Sequence, residues 1–234
     1  MVRIPRRWRE LDRAEGPWTP PPIGHNQGPP LDQPTGGWAR HCWRQAHKKA
    51  WRSPPLEVVR LRAARAAELG LSYHDYSAIL LDRGGQPKAL IFDLGGTLVA
   101  TRNDEIETDR QGRIRALPGV IEKLSALRNC RVFVVTNQAG VAERLITAEQ
   151  AHGFIHQLNA LCGGIIMDHR ICMEPAESDS PFRKPQPGMV LDLLAAHHLT
   201  AGAAVMIGDS ESDRRCAEAA RLARFLWAWD YFGR

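Results

Sequence analysis

Four short polar stretches carry the residue types that phosphoryl-transfer chemistry uses. Three of them stand at the end of an apolar run: Asp93, Thr136-Asn137-Gln138 and Gly208-Asp209-Ser210-Glu211-Ser212-Asp213. The fourth, Arg183-Lys184, lies in the loop after the third predicted strand. A single aspartate in a glycine turn is often only a cap, and a single lysine in a loop is often only solvated. Four such stretches in succession argue against coincidence and indicate one shared site.

These side chains have the chemical properties that transfer of a phosphoryl group requires. The reaction needs a nucleophile or a positioned water, a cation to neutralise the phosphoryl oxygens, and fixed hydrogen-bond donors. Asp93, Asp209 and Asp213 offer hard oxygen ligands for Mg²⁺. Lys184 can bring positive charge to the phosphoryl group and to Asp93, and the Thr136 hydroxyl is a neutral donor.

The elements that must position these residues alternate from residue 88 onward. Strands are predicted over 88–93, 131–136, within 164–173, over 203–207 and over 224–227, and helices over 118–127, 147–161, 187–198 and 210–222. The pattern predicts an α/β fold with a doubly wound parallel sheet. In such sheets ligands bind beyond the carboxyl ends of the strands, where the polar stretches fall. Residues 99–117 are polar and predict a flap or small hairpin.

The motifs resemble those of the haloacid dehalogenase (HAD) superfamily. Their order is Asp-x-x-Gly-Thr-Leu, Thr-Asn-Gln, Arg-Lys-Pro-x-Pro-Gly-Met and Gly-Asp-x-x-x-Asp. The branch they resemble most has no large cap domain and includes heptose-bisphosphate and histidinol-phosphate phosphatases. The similarity covers residues 87–230 and implies a HAD-like Rossmannoid fold. It also implies a phosphatase that acts on a small phosphorylated metabolite, such as a sugar phosphate.

The resemblance also implies roles for individual residues. Asp93 would attack phosphorus and form an aspartyl-phosphate. The Mg²⁺ ligands would be Asp93, the backbone carbonyl of Gly95 and Asp209, with Asp213 supporting them. The phosphoryl group would be bound by Thr136 and Lys184, and the candidate substrate-binding residues are Asn137, Gln138 and Arg183.

Gly95 departs from the pattern of the phosphatases in this superfamily. They carry a second aspartate at this position, which protonates the leaving oxygen and later activates water. General acid–base assistance contributes about 10²–10⁴-fold, so its loss predicts slow turnover of alkyl phosphates. The alternatives are restriction to good leaving groups, a long-lived aspartyl-phosphate, or an acid from elsewhere. Glu211 and Asp104 lie in neighbouring loops and are candidates for that acid.

A second departure concerns structural zinc. Related phosphatases bind zinc in the loop before the Arg-Lys pair through cysteine and histidine ligands. Here the matching residues are Cys172, Glu174, Ser180 and Phe182. One thiolate and one carboxylate do not make a tetrahedral structural site, so we expect no structural zinc. That loop helps to select the substrate in the superfamily.

The chain divides by composition into three predicted segments. Residues 1–55 hold 10 of the 16 prolines and 5 of the 7 tryptophans and predict an irregular, flexible extension. Residues 56–85 predict a helical pair, and residues 86–234 the HAD-like domain. The net charge of +5 comes from the first 85 residues, with 14 Lys/Arg against 8 Asp/Glu. Trp38, Trp43 and Trp51 among arginines suit either nucleic-acid contacts or anchoring of a short helix.

These bulk features leave a second reading of the function open. The chain could be a catalytically weakened HAD domain that serves as a binding or regulatory module, or a nucleic-acid end phosphatase with a basic N-terminal region. Two adjacent helices invite a DNA-binding interpretation, although most helical pairs bind no DNA. Nucleic acid is therefore a possible partner beside a small phosphorylated substrate.

The remaining expectations concern the cellular compartment and several histidine and arginine side chains. Five scattered cysteines, without a secretory signal or a membrane span, indicate a cytoplasmic protein without disulfides and without a membrane partner. The histidines on helix patterns are predicted to be surface or packing residues: His152, His156, His197 and His198. Arg214 and Arg215 could reach substrate, but a solvated helix face is the simpler interpretation.

Overall fold

The computed structural model describes residues 54–83 and 87–234. Residues Ser53–Arg234 belong to one compact unit. The expectations for residues 1–53, including the tryptophan- and arginine-rich surface, lie outside the described residues. None of the helices in the described part of the chain has the length and apolar character that crossing a membrane requires.

Helices and strands alternate from residue 89 onward, as the sequence predicts. The helices are α1 (Leu56–Glu68), α2 (Tyr73–Arg83), α3 (Val120–Ala126), α4 (Ala148–Leu161), α5 (Gly188–Ala196), α6 (Glu211–Ala219) and α7 (Ala228–Phe232). The strands are β1 (Ala89–Phe92), β2 (Thr101–Arg102), β3 (Glu105–Ile106), β4 (Arg131–Asn137), β5 (Ile166–Cys172), β6 (Ala204–Gly208) and β7 (Arg224–Trp227). A capping box begins α4, since the side chains of Thr147 and Gln150 each accept a hydrogen bond from the other's backbone N–H.

Five of these strands form one parallel sheet in the order β5-β4-β1-β6-β7. From β1 the chain builds outward through β4 to β5, then returns to the other side of β1 for β6 and β7. The winding direction therefore reverses beside β1, which is where ligands bind in sheets of this class. The predicted doubly wound α/β fold is confirmed.

Alternate residues of the central strands pack into two different hydrophobic clusters. Leu90 and Phe92 of β1 belong to one cluster, and Ala89 and Ile91 belong to the other. Successive side chains of a strand point to opposite faces, so helices cover both faces of the sheet. β1 is completely buried and supplies a rigid base for Asp93.

The helical pair α1–α2 packs into the same core as the sheet. Leu69 and Tyr76 share a buried cluster with Phe92, and the Tyr231 hydroxyl donates a hydrogen bond to the Leu69 carbonyl at 3.2 Å. The Ser72 hydroxyl caps α2 by accepting a hydrogen bond from the Asp75 N–H. The pair is thus buried against the sheet-forming part of the chain. The division at residues 55 and 85 remains a prediction.

A two-stranded hairpin stands between β1 and α3, where the sequence predicts a flap. β2 and β3 pair antiparallel around Asn103 and Asp104, which both have positive φ, as a tight two-residue hairpin turn requires. Residues 93–119 hold no further sheet and no helix, so no large cap domain interrupts this part of the described chain.

Candidate active site

Three aspartates meet at the carboxyl end of the two central strands. Asp93 follows β1, and its backbone N–H donates to the Ile207 carbonyl of β6 at 2.9 Å. Asp209 follows β6, and Asp213 lies in the first turn of α6. Their carboxylate oxygens lie within 4.8 Å of one another. The structure therefore brings together the three carboxylates that the sequence assigns to Mg²⁺.

Lys184 is buried between two of these carboxylates. Its Nζ lies 2.5 Å from Asp93 Oδ1 and 2.7 Å from Asp213 Oδ1, and it also donates to the Val135 carbonyl at 3.2 Å. The Lys184 side chain is 3% exposed. Such a buried charge requires paired and hydrogen-bonded partners, and all three are present.

Asn137 holds Lys184 in place through the backbone. Its Nδ2 donates to the Lys184 carbonyl and its Oδ1 accepts from the Lys184 N–H, both at 3.1 Å. Both polar atoms of the side chain are thereby used. The structure places Asn137 as a positioning residue for Lys184, whereas the sequence offers it as a substrate-binding residue.

Gln138 positions the side chain of Thr136 through a hydrogen bond. Gln138 is buried, and its Nε2 donates to Thr136 Oγ1 at 3.1 Å. The Thr136 hydroxyl in turn lies 3.5 Å from the Asn137 carbonyl. Since Gln138 occupies one lone pair of the hydroxyl, it orients the O–H that is expected to face a phosphoryl oxygen. Its contact in this structure is therefore to Thr136.

The turn after β1 is shaped to receive Asp209. The Thr97 hydroxyl donates to Asp209 Oδ1 at 3.1 Å. Gly96 has φ +73°, and a Cβ placed on it would lie 2.1 Å from Asp209 Oδ2. Only glycine fits a position with this backbone conformation and this close an approach. The Asp-x-x-Gly-Thr motif thus fixes a carboxylate that is distant in the sequence.

Asp213 is held by the capping box of α6. Ser210 and Asp213 exchange side-chain and backbone hydrogen bonds at the N-terminus of this helix. Asp213 is 1% exposed. A Cβ placed on Gly208 would lie only 2.5 Å from the Cβ of Asp213, so glycine leaves the room that the aspartate occupies. Asp213 Oδ1 therefore faces the Lys184 ammonium, and Oδ2 accepts a hydrogen bond from the Ser210 hydroxyl.

The charges of the site suit a divalent cation. When all three carboxylates are ionised, they and the one ammonium carry a net charge of −2. Burial raises the pKa of Asp93 to about 7 although the Lys184 ammonium opposes the shift, and burial also raises the pKa of Asp209. Burial would lower the pKa of Lys184, but Asp93 and Asp213 raise it well above its usual range. An all-oxygen donor set with uncompensated negative charge fits Mg²⁺.

Arg183 and the loop before it form a separate hydrogen-bonded unit. Arg183 Nη1 donates to the Glu174 carbonyl at 2.9 Å. The Glu174 carboxylate accepts from the hydroxyls of Ser178 at 2.5 Å and Ser180 at 2.9 Å. Two of the positions that hold zinc in related phosphatases, Glu174 and Ser180, are thus bonded to each other. That the loop binds no structural zinc stays a prediction.

The residues suggested as replacement acids lie in different surroundings. Arg214 forms ion pairs with Glu211 and Glu218 on the surface of α6. This pairing engages Glu211, and it also fits the solvated face expected for Arg214. Asp104 stands exposed at the tip of the hairpin. Neither residue has a described contact with Asp93.

Three of the histidines contact residues outside the aspartate cluster. His152 Nδ1 is 2.8 Å from His169 Nε2, and His156 packs edge-on against the His169 ring. His197 Nε2 is 2.9 Å from Asp168 Oδ2, and its ring packs on Phe133. These are the surface and packing roles that the sequence predicts for them.

Comparison with known proteins decides the family. Residues 88–220, which is 133 of the 234 residues, match the family model described as polynucleotide kinase 3 phosphatase. The chain belongs to this family. It is a HAD-type phosphatase, a phosphoric monoester hydrolase, and the resemblance noted from its motifs is confirmed.

Similar proteins include several heptose-bisphosphate phosphatases. The D-glycero-beta-D-manno-heptose-1,7-bisphosphate 7-phosphatase of Rhodopseudomonas palustris is 31% identical over 140 residues, which cover 54% of this chain and 77% of the relative. The D-glycero-alpha-D-manno-heptose-1,7-bisphosphate 7-phosphatase of Mycobacterium tuberculosis is 31% identical over 147 residues, or 59% and 76% of the two chains.

A solved structure extends the similarity to three dimensions. The D,D-heptose 1,7-bisphosphate phosphatase of B. bronchiseptica, whose structure contains magnesium and phosphate, is 25% identical to this chain. It aligns with a TM-score of 0.54 over 59% of this chain and 79% of that one.

Proposed function

We propose that this HAD-type phosphatase is Mg²⁺-dependent and hydrolyses a small phosphorylated metabolite of the sugar-phosphate type through an aspartyl-phosphate on Asp93. The single observation that carries the proposal is the convergence of Asp93, Asp209 and Asp213 around Lys184. A nucleophilic carboxylate, cation ligands and a fixed positive charge are the parts that this reaction needs.

The cation would be held by Asp93, the Gly95 carbonyl and Asp209, with Asp213 supporting them. When bound, Mg²⁺ supplies positive charge to the phosphoryl oxygens and to the carboxylates around it. Burial disfavours the ionised form of Asp93, and Lys184 opposes this effect from 2.5 Å. Lys184 thereby favours the ionised, nucleophilic form of Asp93 and holds one of its carboxylate oxygens through a hydrogen bond.

The first step is attack of the Asp93 carboxylate on phosphorus. The Thr136 hydroxyl, oriented by Gln138, donates a hydrogen bond to a phosphoryl oxygen, and Lys184 attracts another. The bond from phosphorus to the leaving oxygen breaks as the bond to Asp93 forms. In the second step water attacks the aspartyl-phosphate, releases phosphate and restores Asp93.

The substrate class rests on the relatives. Two relatives at 31% identity are heptose-bisphosphate 7-phosphatases. Phosphate release from a panel of sugar mono- and bisphosphates, measured with Mg²⁺ for the wild type and for Asp93→Asn, tests the proposal. Turnover of a sugar phosphate by the wild type and its loss in the variant are expected. Activity confined to non-sugar substrates would reject the substrate class.

A nucleic-acid end phosphatase is the second candidate. The matching family model, described as polynucleotide kinase 3 phosphatase, favours it, and so does the excess of basic residues before residue 86. Residues 86–234 carry 17 Lys/Arg against 18 Asp/Glu and so supply no net attraction for a polyanion. A 3′-phosphorylated oligonucleotide in the same panel separates the two functions. Faster turnover of the oligonucleotide than of every sugar phosphate would favour the second.

A further inference from the structure

Three histidines meet between α4 and the edge strand β5, outside the aspartate cluster. His152 and His156 stand one turn apart on α4, so their side chains project from the same face of this helix. His169 lies in the middle of β5 and is half-buried, whereas the two helix histidines are exposed. This histidine cluster therefore combines side chains from two elements at the protein surface.

The rings of the histidine cluster are close neighbours. His152 Nδ1 lies 2.8 Å from His169 Nε2, and the centres of these two rings are 5.0 Å apart. The His156 ring meets the His169 ring edge-on, with the ring centres 5.7 Å apart. His169 is thus the common neighbour of both helix histidines. Because His156 is exposed, a change of its side-chain rotamer can turn its ring towards the two nitrogens that already face each other.

Hydrogen bonds from side chains fix the backbone around the histidine cluster. Asn159 of α4 donates to the Ile166 carbonyl at 3.1 Å and accepts from the Ile166 N–H at 2.8 Å, which joins the helix to β5. Within β5, Asp168 accepts from the His169 N–H and Arg170 donates to the His169 carbonyl, both at 2.8 Å. The two elements that carry the histidines are therefore held together before any ligand binds, as a preorganised site requires.

Neutral imidazole nitrogens are ligands for Zn²⁺ and for similar divalent transition metals. A histidine pair four residues apart on a helix binds zinc from one helix face, and a third histidine with a water completes a tetrahedron. Zn–N bonds of about 2.0–2.1 Å place two tetrahedral nitrogen ligands about 3.3 Å apart. The observed 2.8 Å between His152 Nδ1 and His169 Nε2 needs only a small adjustment to reach that separation. A ring whose facing nitrogen carries the proton binds the metal once that proton has moved to its other nitrogen.

We propose that His152, His156 and His169 form a surface site for a divalent transition metal ion of the Zn²⁺ type. The site differs from the aspartate cluster, whose oxygen ligands suit Mg²⁺, and from the loop around Glu174, where no structural zinc is expected. It does not rest on the proposed phosphatase function. The bound ion joins α4 to β5 and so stabilises the folded chain.

Titration calorimetry with Zn²⁺ tests the site on the full, untagged chain. Excess Mg²⁺ is present throughout, so that the aspartate cluster does not compete for Zn²⁺. His169→Gln removes the central ligand, and its Zn²⁺ affinity is expected to be more than about tenfold weaker, since loss of an outer-shell partner alone costs about 10–100-fold. The matched control is His198→Asn, which removes an exposed histidine outside the cluster at a positive φ that asparagine accepts. This control is expected to keep the wild-type affinity.

Two further measurements identify the ligands. Co²⁺, added as a coloured substitute for Zn²⁺, is expected to give a visible absorption spectrum that changes in His152→Gln and in His156→Gln. Zn²⁺ is also expected to raise the Tm of the wild type and of His198→Asn equally, and that of His169→Gln by less. An unchanged Co²⁺ spectrum and Zn²⁺ affinity in His156→Gln would overturn the set of three ligands.

The remaining outcomes distinguish this site from the rest of the chain. Equal Zn²⁺ affinity in His169→Gln and wild type would overturn the proposal, because the ion would then bind elsewhere. Loss of Zn²⁺ binding in Asp209→Asn together with its retention in His169→Gln would assign the ion to the aspartate cluster and overturn the proposal too. Mg²⁺-dependent phosphate release by the wild type reports on the proposed function separately, and its absence would leave the zinc result standing.

Discussion

Replacement of Lys184 by methionine removes the only ammonium described within the carboxylate cluster. Asp93 Oδ1 and Asp213 Oδ1 lie 2.5 Å and 2.7 Å from its Nζ, and all three side chains are almost fully buried. Removing one partner of a buried ion pair leaves an uncompensated charge and costs about 3–5 kcal/mol. For a domain of about 150–250 residues, each kcal/mol shifts Tm by about 2–4 °C, so a fall of about 6–20 °C is expected.

The assay is thermal unfolding followed by circular dichroism, with and without Mg²⁺. Lys184→Met is compared with Lys88→Met, an exposed lysine near the start of β1 whose loss is expected to change Tm by less than about 2 °C. Saturating Mg²⁺ is expected to recover part of the loss in Lys184→Met, because the cation offsets the carboxylate charges. If metal-free Lys184→Met melted within about 2 °C of the wild type, Lys184 would not be compensating buried carboxylates.

Three further predictions concern the same site. Gln138→Leu removes the hydrogen bond that orients the Thr136 hydroxyl. The kcat is expected to fall at least tenfold while the far-UV circular dichroism spectrum stays that of the wild type. An unchanged kcat would contradict the orienting role of Gln138. Gly96→Ala forces a methyl group against Asp209, so titration calorimetry is expected to show Mg²⁺ affinity reduced more than tenfold; wild-type affinity would count against the metal assignment. Because the pKa of Asp93 is raised to about 7, the folded protein binds more protons than the unfolded chain below that pH. The free energy of unfolding of the metal-free protein is therefore expected to fall as pH rises towards about 7. Denaturant titrations should show a weaker pH dependence of this free energy in Asp93→Asn, and the same pH dependence in both proteins would refute the prediction.

The fold could be predicted from the sequence because its periodicities are strong. The apolar run of β1 and the alternation after residue 88 determine a parallel sheet, and glycine and capping residues mark the element ends. The burial of α1 and α2 on that sheet could not be predicted. Leu69 and Tyr76 fit an ordinary amphipathic pair, and only the three-dimensional packing shows that they share a core with Phe92.

The site was predictable in its charged residues and not in its supporting hydrogen bonds. Asp93 and Lys184 stand out because carboxylates and lysines at strand ends are chemically conspicuous. Asn137 and Gln138 were expected to face substrate, yet a motif does not show which neighbour uses an amide, and here they hold Lys184 and Thr136.

The role of Asp93 is tested most directly by trapping the reaction part-way. Wild-type enzyme, mixed with Mg²⁺ and a ³²P-labelled phosphate ester and quenched in acid, is expected to carry label that hydroxylamine releases, as an acyl phosphate does. Asp93→Asn is expected to carry none and to release no phosphate, with a folded far-UV spectrum. Phosphate release by Asp93→Asn at the wild-type rate would contradict the assignment of Asp93 as the nucleophile.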